Sequence, residues 1–217
     1  MNKCALFIAI VLMGVLLINS WLWARPVSYL GGWTSMIMNN SDRNSLHVHY
    51  SPSRRYSLGY KLEYWRDGEY TINALQMNNL LKRWNSPDSQ ANLYLKSGIG
   101  FGRSDAGSFD NKVEPAVFTG IAADWESRRF FVSYENRYTD TGSIDDFYMQ
   151  SARVSIAPYI GDYGDLHIWL MLEVDHKPEN ADPFTATPII RLFKGVHLVE
   201  AGISDQGDLL LNWVIRY

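Results

Sequence analysis

The sequence predicts an all-β fold, a closed, antiparallel, up-and-down barrel that spans a membrane with 10–12 strands, of which 12 is the favoured number. Three observations support this class. The chain begins with a segment typical of exported proteins. Apolar and polar residues then alternate along most of the remaining sequence, and the polar face mixes Gly, Ser and Asn with long charged residues, as the inside of a membrane barrel does.

The composition excludes several other classes. A chain of 217 residues makes one ordinary domain or at most two small ones. The net charge is -3, so a basic surface is not expected and nucleic acid is not an expected partner. One cysteine, Cys4, permits neither a disulfide framework nor a cysteine-based zinc site. The mean hydropathy of -0.19 is too polar for a helical membrane protein.

The first segment, residues 1–24, has the features of a cleaved signal peptide. Lys3 supplies a positive start, and Ala5–Ile18 is apolar apart from one glycine. As a helix this run would span about 21 Å, which is short of a hydrocarbon core of about 30 Å. Ala24 offers a small residue for cleavage, although an uncleaved N-terminal anchor is the alternative. Residues 25–217 then form a single barrel domain.

Alternation with a period of two residues defines the predicted strands. In Tyr56–Tyr64, Tyr and Leu share one face, and Ser, Gly, Lys and Glu share the other. Ala91–Gly102, Leu166–Asp175 and Leu209–Tyr217 follow the same rule. Weaker runs predict eight further strands at Trp33–Asn39, Ser45–Tyr50, Tyr70–Trp84, Ala116–Trp125, Arg129–Tyr138, Phe147–Pro158, Phe184–Phe193 and Val196–Ser204.

Two of the weaker runs are irregular, which is why the predicted number is a range. Tyr70–Trp84 is long and poorly phased, so it could contain a bulge. Pro188 cannot donate a ladder hydrogen bond, so it weakens its strand or marks a bulge. Turn-forming segments such as Arg66-Asp67-Gly68 and Asp205-Gln206-Gly207 separate the runs.

Alternation alone also fits a soluble sandwich or a soluble ligand-binding barrel, and the end of the chain favours the membrane barrel instead. Leu211, Trp213, Ile215 and Tyr217 lie at alternating positions of the last run, which ends in an aromatic residue. This stretch resembles the C-terminal recognition strand of bacterial outer-membrane barrels. The resemblance implies export to the outer membrane of a Gram-negative bacterium. It also implies recognition of the last strand by the barrel-assembly machinery, and contact with outer-membrane lipids and lipopolysaccharide.

The predicted topology agrees with the usual asymmetry of such barrels. If both termini are periplasmic, Arg103–Pro115 and His176–Pro183 are external connections, and Ser127-Arg128 and Lys194-Gly195 are short periplasmic turns. Tyr159–Asp165 is a longer periplasmic exception. Aromatic residues at or near strand ends are predicted to form two interfacial girdles. These are Trp65, Tyr70, Trp84, Trp125, Phe130, Tyr138, Tyr148, Phe184 and Tyr217.

Strand phasing also assigns charged residues to the predicted lumen. The candidates are Lys61, Glu63, Lys82, Lys96, Asp124, Glu135, Arg137, Arg153, Glu173, Arg191, Glu200 and Arg216. With Glu126 and Asp175 they make equal numbers of basic and acidic residues, which argues against strong ion selectivity. The charges either pair into a structural network, because buried charges require partners, or line a narrow polar path for small solutes.

A surface-binding or metal-binding barrel is one alternative function, and its support in the sequence is weaker. His47 and His49 share one strand face and, with His167, are weak candidates for a soft-metal site that Met171 and Asp175 could complete. No cofactor is expected, and Met36 and Met38 are predicted to face lipid or to belong to an interfacial girdle rather than to bind a metal ion.

An outer-membrane lipid hydrolase, which would hydrolyse acyl esters, is the enzymatic alternative. The sequence lacks the His-x-Ser-Asn pattern of that class, so enzymatic activity is not the favoured prediction. Its nearest approach is His49-Tyr50-Ser51-Pro52, which Pro52 breaks. Gly98, Gly100 and Gly102 share one strand face and are predicted to make room inside the barrel.

Overall fold

A computed structural model describes residues 26–105, 110–162 and 164–217, and within these ranges the chain forms twelve strands. The predicted signal peptide, residues 1–24, lies outside the described residues. Across the described ranges we find no helix with the length and apolar character needed to cross a membrane. The strands are β1 (Trp33–Asn39), β2 (Arg43–Tyr50), β3 (Tyr56–Trp65), β4 (Tyr70–Asn85), β5 (Ser89–Ser104), β6 (Val113–Ser127), β7 (Phe130–Asp140), β8 (Asp146–Ile156), β9 (His167–His176), β10 (Phe184–Lys194), β11 (His197–Ile203) and β12 (Leu209–Arg216).

The strands form a closed antiparallel barrel in which every strand pairs with its neighbours along the chain. The barrel closes between β1 and β12, where Ile37 lies opposite Trp213. Closure matters because an open strand edge would leave backbone groups unpaired in hydrocarbon. The predicted all-β class, the antiparallel topology and the favoured number of twelve strands are therefore confirmed.

The two ends of the barrel differ. We call the end where β1 begins and β12 finishes the terminus-side end; there the Trp33 N–H donates to the Tyr217 carbonyl at 2.7 Å. The opposite end is called the far end. Connections 128–129 and 195–196 at the terminus-side end are tight, and 177–183 at the far end is longer, in line with the predicted topology. Connection 157–166 is the long terminus-side exception.

Both irregular strands have a structural explanation. The pairing of β4 with β5 shifts register between Leu80 and Lys82, which confirms the predicted bulge. Pro188 causes no register shift. Instead, the ladder between β10 and β11 ends at the neighbouring pair Ile189 and Gly202, so the missing N–H of the proline interrupts no hydrogen-bond ladder there.

Alternation gives the wall an apolar outside and a polar inside. Leu75 and Ile99 point outward and remain 68% and 67% exposed. Glu63, Asn78 and Asn92 point inward and are fully enclosed or nearly so. This order is the reverse of that in a soluble protein, and an apolar band of this extent is suited to contact with lipid.

The aromatic residues near the strand ends divide into two groups. Most lie on the outside, as predicted for interfacial girdles: Trp84, Trp125, Phe130, Tyr138 and Phe184 are exposed. The prediction is wrong for Trp65 and Tyr70, which are buried inside the barrel. Trp65 follows the inward Glu63 by two positions and pairs directly with Tyr70, so the two aromatic rings share the inner face.

Candidate functional site

The lumen contains an internal cavity of about 260 Å³ to which all twelve strands contribute side chains. It extends from Asn40, in the turn after β1 at the far end, to Pro26, which precedes β1 at the terminus-side end. The cavity therefore follows much of the length of the barrel. Polar and charged residues outnumber apolar residues in its lining.

One group of charges surrounds Glu63 of β3, which is fully buried. The two terminal nitrogens of Arg137 on β7 each donate to one carboxylate oxygen of Glu63 at 2.7 Å. Lys61 lies 3.0 Å and Arg43 3.5 Å from the same carboxylate. Three cations thus share one anion, and this part of the wall has a net positive charge.

Aromatic side chains support these cations. The Arg137 guanidinium lies 4.0 Å from the ring centroid of Phe118, and that of Arg43 lies 4.8 Å from that of Trp65. Such cation–π contacts stabilise charges that are partly removed from water. Phe118 can occupy its position because Gly98 lies opposite it on β5, and a Cβ there would be 2.1 Å from the ring. This contact confirms that Gly98 makes room inside the barrel.

A second group of charges lies on β8–β12. Arg153 contacts Glu173 and lies 3.3 Å from Glu200, and Arg191 lies 2.6 Å from Glu200. The Asn212 amide donates to Glu200 at 2.8 Å. Two cations here face two anions, so this group is balanced, and its carboxylates have the several partners that burial requires.

A separate ion pair on β5 and β7 joins Lys96 to Glu135, with 2.6 Å between nitrogen and oxygen, and both residues line the cavity. The Glu135 side chain is 46% exposed, which leaves it open to the lumen. Nearer the terminus-side end, Asp124 accepts a hydrogen bond from Asn92 at 2.7 Å. Arg216 is buried on the inner face of β12.

The structure therefore places eleven of the twelve predicted lumen residues on the inner face, and Lys82 is the exception. Lys82 pairs with the outward Leu93 and is exposed, because the bulge in β4 reverses the phase of the strand. Arg83 takes the inward position and donates to Asn92 at 2.7 Å. Sequence phasing also missed Arg43. Its spacing of two from Ser45 was a usable signal, because both belong to β2.

Apolar clusters narrow the lumen at both ends. At the far end Trp65, Tyr70, Ile72 and Phe147 pack together inside the barrel. At the terminus-side end a cluster contains Val27, Tyr94 and Ala122. A further cluster of Trp169, Met171, Ile189 and Leu210 extends from the terminus-side part of β9 to the far-end start of β12. The sequence pattern showed inward apolar residues at some of these positions, but not that they meet across strands.

The histidines are divided between separate places. His47 and His49 lie together with ring centroids 4.6 Å apart, whereas His167 packs against Phe193. Lys61 lies opposite His47 on the neighbouring strand, and a cation there disfavours a bound metal ion. Among the described residues no group of three or more His, Cys, Asp or Glu side chains could hold a metal ion.

Met36 and Met38 line the cavity, so the prediction that they face lipid is wrong. Met36 pairs with the inward His47 and Met38 with the inward Ser45, which puts both thioethers on the lumen face.

The nearest approach to a hydrolase motif forms no catalytic pair. The Ser51 hydroxyl accepts a hydrogen bond from the Ser28 N–H at 3.1 Å. Both ring nitrogens of His49 are buried, and neither has a hydrogen-bond partner among the described residues. A nucleophilic serine needs a base within hydrogen-bond reach, and His49 does not provide one.

No family model matches the sequence, and no curated protein matches it. Solved structures do match. The KdgM porin in complex with disordered oligogalacturonate superposes with a TM-score of 0.51 at 10% identity, over 86% of this chain and 98% of that chain. LpxR from Salmonella typhimurium gives 0.46 at 8% identity, over 86% and 99%. OccK8 (OprE) from Pseudomonas aeruginosa gives 0.43 at 8% identity, over 84% and 62%. The chain has the fold of bacterial outer-membrane barrels.

Proposed function

We propose that this barrel is a narrow channel for small polar solutes in the bacterial outer membrane. The observation that carries the proposal is the polar cavity, which follows the lumen between Asn40 and Pro26 and is lined by all twelve strands. The shared fold with the KdgM porin supports a channel as well.

The charges and the apolar clusters indicate which solutes would pass. Most charged side chains of the lumen have an oppositely charged partner, so we expect weak rather than strong ion selectivity. Because the group of charges around Glu63 has a net positive charge, we expect the weak selectivity to favour anions over cations. Apolar clusters at both ends restrict passage to small molecules. Because the KdgM porin was solved with an oligogalacturonate, that class of solute belongs among those tested.

The chain's route to the membrane is part of the same proposal. Residues 1–24 direct export and are then removed. The terminus-side end of the barrel faces the periplasm. The barrel-assembly machinery recognises the outward face of β12, where Leu211 and Trp213 are exposed beside Tyr217. Outer-membrane lipids and lipopolysaccharide then surround the apolar band.

Conductance across planar lipid bilayers tests the channel. We expect small, discrete conductance steps from the refolded mature chain. Ser133→Trp, which fills the lumen, is expected to reduce them, because Ser133 lines the cavity. The matched control is Val132→Trp, one residue away on the outward face. A correctly folded barrel that inserts and never conducts would instead be a passive structural barrel, and the proposal would fail.

A further inference from the structure

The chain ahead of β1 turns back into the lumen. We call Pro26–Gly32 the strap. The Gly32 N–H donates to the Tyr29 carbonyl at 3.1 Å, and Gly31 has a φ of +81°, which is the geometry of a type II turn. The Gly31 N–H also donates to the Ser51 carbonyl at 2.8 Å. A side chain at Gly31 would be strained, so the sequence Tyr-Leu-Gly-Gly favours this reversal.

Polar side chains of the inner wall hold the strap. The carbonyl oxygen of Pro26 accepts hydrogen bonds from the Ser57 hydroxyl at 2.8 Å and from the Asn78 amide at 3.4 Å. Both donors are buried, and Asn78 also donates to Ser57 at 2.9 Å. Directly after β2 the strap reaches Ser51, whose hydroxyl accepts a hydrogen bond from the Ser28 N–H. Ser57 and Asn78 belong to β3 and β4, so the strap crosses several strands.

An apolar anchor completes the attachment. Val27 is 3% exposed and packs with Tyr94 of β5 and Ala122 of β6, with Leu80 at the edge of the cluster. The strap therefore lies along the inner wall from β2 to β6, which is close to half of the barrel circumference. Its attachment differs from that of the strands, because side chains and two backbone hydrogen bonds with Ser51 hold it rather than a continuous ladder of backbone hydrogen bonds.

The strap forms a boundary of the passage, since Pro26 lines the cavity at the terminus-side end. The other side of that mouth includes Phe131, Leu198 and Val214, which line the cavity near the terminus-side ends of β7, β11 and β12 and are fixed by strand pairing. We propose that the strap sets the size limit for solutes at the terminus-side mouth. This inference rests on the proposed channel function and assigns the limit to a particular segment.

Exclusion of polyethylene glycols of graded size, measured through conductance in planar bilayers, tests the assignment. Deletion of Pro26–Leu30 should raise both the single-channel conductance and the size of the largest polymer that enters. The double variant Val27→Gly with Ser57→Ala, which removes the apolar anchor and one polar anchor, should move both quantities in the same direction. The matched control is Leu30→Ala, because Leu30 belongs to the strap and is exposed.

A reversible crosslink provides a second measurement. Val27→Cys with Ala122→Cys joins the strap to the wall, and the one native cysteine, Cys4, lies in the predicted signal peptide. When Ser57→Ala is added, the oxidised protein should retain the wild-type size limit. Reduction of the disulfide should then raise the limit. The heat-dependent shift of folded barrels in gel electrophoresis verifies that each variant is folded.

The outcomes separate the two proposals. If the folded wild type and all variants conduct equally and exclude the same polymers, the strap inference is overturned and the channel stands. If none of the folded proteins conducts, the channel proposal fails, and the strap inference fails with it. A wild type with little conductance and a deletion variant with severalfold more would support both.

Discussion

Glu63 connects the charge pattern of the lumen to the stability of the barrel. Its carboxylate is enclosed and shared by Arg137, Lys61 and Arg43, so its removal leaves several cations without their partner. For Glu63→Gln we expect a loss of about 3–5 kcal/mol in the free energy of unfolding, as for other broken buried ion pairs. Urea titration of the barrel in detergent micelles measures this loss. The preference for anions should increase in the same variant, measured as the reversal potential in a salt gradient.

The control for Glu63 is Glu135→Gln. Glu135 also pairs with a cation, Lys96, but its side chain is open to the lumen. Water therefore screens this pair, and the expected loss is about 0–1 kcal/mol. Equal losses in the two variants would contradict the distinction between an enclosed and a solvated ion pair.

Single positions on the inner face were largely predictable from the sequence, because residues two apart on a strand share a face. Lys61 and Glu63 follow from the phase of β3, as Arg137 does from the phase of β7. The phase of a strand does not predict which residue of another strand a given side chain will pair with. Glu63 and Arg137 are separated by 74 positions, and their contact depends on how the barrel closes.

Gly98 and Phe118 show how a glycine determines the packing inside a strand pair. A side chain at position 98 would overlap the Phe118 ring and displace it from beneath the Arg137 guanidinium. We expect Gly98→Leu to reduce the free energy of unfolding by about 1–3 kcal/mol, the usual cost of overpacking. Thermal unfolding followed by circular dichroism measures the effect.

The matched control on the same strand face is Gly102→Ala. A Cβ at this position meets Thr141 at 3.3 Å, a contact that a small adjustment relieves. The stability of this variant should remain close to that of the wild type. If Gly98→Leu were equally well tolerated, the close fit between Gly98 and Phe118 would not stabilise the barrel.

The strands were predictable as units, and the interruption inside β4 was predictable only as an irregularity. Each of the twelve predicted runs overlaps a strand, because alternation persists wherever one face meets lipid and the other the lumen. The bulge between Leu80 and Lys82 reverses the phase over the last residues of β4. The sequence Leu80-Leu81-Lys82-Arg83 has no alternation that would locate the extra residue, so Lys82 and Arg83 could not be told apart.

Apolar side chains lie inside the barrel near its ends, where a polar lumen would be expected to open. Their clustering follows from the three-dimensional arrangement of the strands and not from any one strand. Trp65, Tyr70 and Phe147 come from three strands and meet at the far end. Aromatic residues near strand ends are as typical of interfacial girdles as of such a cluster. The sequence therefore could not show which side of the wall they occupy. The strap was unpredictable for a similar reason, because its contacts lie on five different strands or turns.

The far-end cluster leads to a prediction about the whole passage. Trp65→Ala removes an indole that packs against Phe147 at 4.6 Å between ring centroids. We expect a higher single-channel conductance, because the far mouth widens, together with a stability loss of about 3–5 kcal/mol. Trp84→Ala is the control, since Trp84 is exposed on the outside. Unchanged conductance in Trp65→Ala would show that the far mouth does not limit the passage.

The orientation of the entire wall is tested by charges placed on its outer face. Leu75 pairs with Tyr60 and Ile99 near the middle of their strands, and all three side chains point outward. If lipid surrounds this band, Leu75→Arg should destabilise the barrel in lipid vesicles, lowering the free energy of unfolding by about 2–4 kcal/mol. Leu209→Arg, at the first residue of β12, should lower the free energy of unfolding by about 0–1 kcal/mol, because the cost of a charge falls towards the membrane interface. The two substitutions introduce the same side chain at exposed outward positions, so the difference between them reports depth in the membrane. Equal costs, or a gain in solubility without detergent for Leu75→Arg, would mean that water rather than lipid contacts the outer face.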